Sequence, residues 1–136
     1  MTITGRSDVF EKAPDRVARG RVVKRFDGNA SVRALVARAR AAGRVVRIVE
    51  GGIDKHSSLV AFAEGLALPK WFGLNLDALT DALRDLTDED GREIELVWDR
   101  VGQLHQSDPK AYGAILAVLL DVEAERDDLH VTVVDR

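Results

Sequence analysis

Asp77, Asp81 and Asp85 recur at every fourth position of the run LNLDALTDALRDL. On a helix this spacing sets all three carboxylates on one face. Like charges so placed destabilise a helix by roughly 0.2–0.5 kcal/mol per pair. Asp77 alone falls in the first turn, where the helix dipole favours an anion. Asp81 gains nothing from the fold itself. Such a stripe can simply be solvated, bind a divalent cation, form a general acid/base pair, or receive cationic groups from another molecule.

The residues just before it favour the last use. In LPKWFGLN, Pro69 fixes φ, Gly73 permits a turn, and Asn75 suits the N-cap of the helix that follows. Trp71 and Phe72 are consecutive turn residues, and consecutive residues cannot easily both point inward. An exposed aromatic beside fixed carboxylates is a docking site for something cationic. A metal is a poorer fit, because no second acidic strand completes a shell around Asp77 and Asp81.

Other chemistry finds little support. His56, His105 and His130 fall in different segments with no metal-binding spacing. Glu50-Gly51-Gly52 ends a strand where phosphates can bind, yet no phosphate-loop pattern is present. Ser57-Ser58 lacks a nucleophile elbow. There is no cysteine, so disulfides and thiolate metal sites are excluded. No cofactor is expected.

The chain's 136 residues, 46% of them hydrophobic, suit one globular domain with a real core. No apolar run is long enough for a transmembrane helix, and MTITGRSDVF is not a secretory signal, so a cytoplasmic protein is expected. Charge is divided: residues 1–47 carry net +8 and residues 48–136 net −11. The acidic part would repel nucleic acid and attract a basic partner. The arginines of the first third lack interleaved aromatics, so no direct nucleic-acid contact is expected.

Elements to position the stripe can be read in order. Residues 1–19 form an irregular lead, and 20–136 one domain. GRVVKRF (20–26) is a candidate edge strand. Ser31 starts a helix running to Ala42 and stopped by Gly43. RVVRIV (44–49) is a strand. Asp54 starts a helix from Lys55 to Ala67. The motif loop and helix follow, then the strand EIELVW (93–98). A short helix or crossover spans 99–106. Pro109 opens the last helix, which runs to Arg126, and LHVTVV (129–134) is the final strand. Strands alternating with helices predict an α/β fold with parallel pairing.

LPKWFGLNLDALTDAL resembles the central motif of the barstar family, small intracellular inhibitors of microbial ribonucleases. Pro69, Trp71, Phe72, Gly73, Asn75, Asp77, Ala78, Leu79 and Asp81 all match that motif. The resemblance extends from Arg44 to Val134 and implies a three-stranded parallel sheet packed by helices. Here an extra N-terminal helix and a possible edge strand would be added.

It also implies an inhibitor of a basic, barnase-like ribonuclease of extracellular or toxin type, antitoxin-like and bacterial, monomeric when free, with no turnover of its own. By position, Asp81 matches the aspartate that enters the enzyme's phosphate-binding site. Asp77 matches a second contacting aspartate, Trp71 a contacting aromatic, and Asn75 a loop asparagine at the contact surface. Phe72 and Gly73, in the same loop, are expected to bind the partner as well. A contacting last-helix glutamate falls on Glu123 if no gap precedes the final strand, and on Asp121 by apolar phase. Thr80 and Leu74 depart from the family pattern, where an aromatic and an acidic residue can occur. The alternatives are an adaptor of the same fold for another basic protein, or a metal-dependent enzyme.

Overall fold

β-Branched runs build the centre of the molecule. In the computed structural model, which describes residues 29–69 and 71–136, three such runs form β1 (Val45–Glu50), β2 (Ile94–Asp99) and β3 (Leu129–Val133). They pair in parallel in the order β1-β2-β3, with Val45 beside Ile94 and Ile94 beside Leu129. The predicted strands are all found, within a residue at each end. The lead and the candidate strand over residues 20–26 lie outside the described residues.

Parallel strands are joined by helices, so both sheet faces become covered. Every residue of β2 is buried. Ile94, Leu96 and Trp98 face one way, into the main core with Val49, Leu129, Val131 and Val133. Four helices supply the rest of that core: α2 (Lys55–Gly65), α3 (Leu76–Asp85), α4 (Gly102–Ser107) and α5 (Pro109–Glu125). Trp98 is fully buried, stacked on Tyr112 at 5.6 Å between ring centroids and tilted against Phe62 at 5.8 Å.

The opposite sheet face is covered by α1 (Asn29–Ala41), the expected extra helix, whose Val32 and Leu35 pack on Val97 and Val134. It begins before Ser31, the expected start, and ends where Gly43 takes φ 84° while the Arg44 amide bonds to the Ala39 carbonyl. This face also holds a polar chain. Arg44 pairs with buried Glu95 at 2.7 Å, and the Thr132 hydroxyl donates to the other Glu95 oxygen at 2.9 Å.

Local signals fix the helix starts. Asp54 accepts the Ser57 amide hydrogen at 2.8 Å, and the Ser57 hydroxyl oxygen accepts that of Asp54, a reciprocal cap. Pro109 opens α5 behind the N-cap Asp108. α2 stops at Gly65 rather than Ala67, because Ala67 turns to φ 52°. No helix among the described residues is long and apolar enough to cross a membrane.

Candidate functional site

The motif loop is anchored at both ends. Behind α2, the Leu68 amide bonds back to the Ala63 carbonyl at 2.9 Å, and Leu68 packs on the core. The Phe72 amide then donates to Pro69, and the Asn75 amide to Gly73, both at 2.9 Å. The two aromatics separate as their adjacency requires. Trp71 is 83% exposed, whereas Phe72 is half-buried against the core. Phe72, expected at the contact surface, therefore anchors the loop. Gly73 leaves room for its neighbour, since a Cβ there would stand 3.1 Å from the Asn75 side-chain nitrogen.

Asn75 caps α3, its side-chain oxygen accepting the Ala78 amide hydrogen at 2.8 Å. Leu79 and Leu83 are fully buried and seat the helix beside α5. The far end of α3 is closed from outside. Arg126, just past α5, donates Nη1–H to the Leu83 carbonyl at 2.6 Å and to the Arg84 carbonyl at 3.3 Å. The same guanidinium is held by both oxygens of Asp128. Arg126 thus places a cation on the carbonyls that carry the negative end of the helix dipole.

Between these fixtures the acidic face is open. Asp77, Asp81 and Asp85 are exposed, and none makes a hydrogen bond or ion pair among the described residues. Trp71 and Asn75 are exposed in the preceding loop, and so is Leu74. The phase of α3 expected from the sequence holds: aspartates outward, Leu79 and Leu83 inward, Leu76 half-buried.

The last helix corrects one expectation. Glu123 is buried, and its carboxylate accepts the Val131 amide hydrogen at 2.7 Å. It ties α5 to β3 and is not displayed for a partner. Asp121, the residue that apolar phase selects, is exposed. One turn further along α5, Glu125 takes two bonds from Arg84 of α3, at 2.8 Å from Nε and 2.9 Å from Nη2.

Hydrogen bonding and the charge of Glu125, with smaller contributions from Asp81 and Asp121, raise the Arg84 pKa above its usual value. The Arg84 hydrogen bond holds the Glu125 carboxyl below the usual carboxylate range. Arg84 and Arg126 were not singled out by sequence reasoning. Their partners lie some forty positions away, beyond any local spacing rule.

Possible metal ligands are dispersed. His105 pairs with Asp135 at 2.9 Å and stacks on Tyr112, while His130 pairs with Glu93 at 2.8 Å. No group of three His, Asp or Glu side chains that could hold a metal ion occurs among the described residues.

Comparison with known proteins agrees with this geometry. No curated protein matches the chain. A family model described as Barstar (barnase inhibitor) matches residues 44–135, which run from the start of β1 past the end of β3 and include the whole acidic face. The match spans well over half of the 136 residues, carries a barnase-inhibitor type of role in general, and shows that the chain belongs to the barstar family.

Proposed function

We propose that this protein inhibits a basic, barnase-like ribonuclease in the cytoplasm by covering its active site with α3 and the Trp71–Asn75 loop. The observation that carries the reading is that Asp77 and Asp81 make no hydrogen bond or ion pair among the described residues, on a helix fixed at both ends. A ribonuclease holds its substrate's phosphates with cationic side chains. Carboxylates presented on a rigid helix can occupy those positions with charge-assisted hydrogen bonds and offer no bond to cleave. Because the helix is already ordered, little conformational entropy is lost on docking.

Each residue has a role in this account. Asp81, past the first helical turn and pointing to solvent, meets the centre of the cationic cluster. Asp77 supports it from one turn earlier. Trp71 lies over the rim of the active site with its exposed ring. Asn75 uses its side-chain oxygen within the cap, leaving its amide N–H groups for the enzyme. Asp121 is the contact from α5, and Phe72 and Gly73 shape the loop. The net −11 over residues 48–136 speeds encounter with a basic enzyme and makes it sensitive to salt.

The test is titration of a purified barnase-like ribonuclease with the full chain while RNA cleavage is followed. Cleavage should fall to zero near one equivalent and recover partly at high salt. Unchanged cleavage at a large excess contradicts the proposal. Binding without loss of cleavage points instead to an adaptor for another basic protein.

A further inference from the structure

One cation interrupts the acidic face. On a helix turning about 100° per residue, Arg84 lies about 20° to one side of Asp77, and Asp81 about 40° to the other. Arg84 therefore stands on the α5 side of the aspartate stripe, where it reaches Glu125. Asp121 lies one turn before Glu125 on α5, so Arg84 separates the carboxylates of α3 from those of α5. Its side chain is 50% exposed.

A guanidinium carries five N–H donors, in a planar fork. Glu125 engages Nε and one hydrogen of Nη2, and Nη1 has no partner among the described residues. In the inhibitory reading a partner covers α3 up to its α5 side, where the half-exposed Arg84 stands. Docking removes the water from its open donors. Charged donors left buried and unpaired oppose binding, and so do like charges brought together. A surface that is cationic throughout would complement Asp77 and Asp81 but clash with Arg84.

We propose that Arg84 selects the partner by requiring a hydrogen-bond acceptor, a carboxylate above all, on the ribonuclease surface opposite it. The inference rests on the inhibitory reading above. It defines the enzyme more narrowly: a cationic cluster facing Asp77 and Asp81, with an acidic group on the side facing α5. Glu125 acts as the positioning residue that aims the fork.

The test uses the full chain against a panel of purified barnase-like ribonucleases, with dissociation constants and denaturant midpoints for the parent, Arg84→Ala and Glu125→Gln. Both variants remove the same ion pair, and the midpoints separate a loss of folding from a loss of binding. Only Arg84→Ala removes the open donors, and it should weaken the parent's best complex by about tenfold or more, well beyond the loss with Glu125→Gln. If Arg84→Ala binds as tightly as the parent or tighter, or if the two variants lose equally, this inference is overturned and the inhibitory reading stands. A parent chain that binds no enzyme of the panel overturns both.

Discussion

Arg126 donates Nη1–H to the carbonyl of Leu83 at 2.6 Å, closing the end of α3 from the chain that follows α5. The acidic helix is thereby held by a side chain forty-three positions away in sequence. Arg126→Ala should leave two helix-end carbonyls unbonded and Asp128 without its partner. We expect a loss of about 1.5–3 kcal/mol of stability, the range for bonds to a charged group. Urea unfolding measures it, and an unchanged midpoint would show that water caps the helix equally well.

The adjacent aromatics should behave in opposite ways. Trp71 is 83% exposed, so Trp71→Ala should alter stability by no more than about 0.5 kcal/mol while weakening the ribonuclease complex. Phe72 packs on the core from a half-buried position. Phe72→Ala should cost about 1–2 kcal/mol of stability, less than a fully buried phenylalanine would. Parallel unfolding and binding curves for the two variants check the contrast. Equal effects on stability would contradict the separation of roles.

Acid should loosen the junction between α3 and α5. Hydrogen bonds from Arg84 and Arg126 hold the Glu125 and Asp128 carboxyls below their usual range. Groups whose pKa is depressed by folding stabilise the native state above their unfolded pKa, about pH 4, and that contribution is lost as pH falls through the lower folded value. The double variant Glu125→Gln, Asp128→Asn should therefore lose less stability than the parent between about pH 5 and pH 3. Denaturant midpoints across that range give the answer. Equal acid sensitivity would mean that other carboxylates govern it.

Strong local patterns carried the fold. The three strands were legible as β-branched runs, and Asp54, Asn75 and Pro109 each announced a helix start through a short-range cap or a fixed φ. The outward turn of Asp77 and Asp81 followed from the inward turn of Leu79 and Leu83. Glu123 shows where such reading fails. It belongs to the buried side of α5 with Leu119 and Val122, where its carboxylate accepts the Val131 amide hydrogen from β3. No local rule finds a partner that tertiary packing supplies. The same holds for Glu95, whose buried carboxylate is met by Arg44 and Thr132 from other parts of the chain.

The central claim is that Asp81 serves binding and not folding. Asp81→Ala removes a carboxylate with no hydrogen bond or ion pair among the described residues, so the denaturant midpoint should hold, relief of repulsion from Asp77 and Asp85 offsetting the lost attraction to Arg84. In the complex the same change leaves the enzyme's buried cations unpaired, and affinity should fall by about 2–5 kcal/mol. The deciding measurement is the dissociation constant of Asp81→Ala and of the parent for a barnase-like ribonuclease that the parent inhibits, with the midpoint of each. A large loss of affinity at an unchanged midpoint is the predicted result. Parent-like affinity, or a loss explained by unfolding, would contradict it.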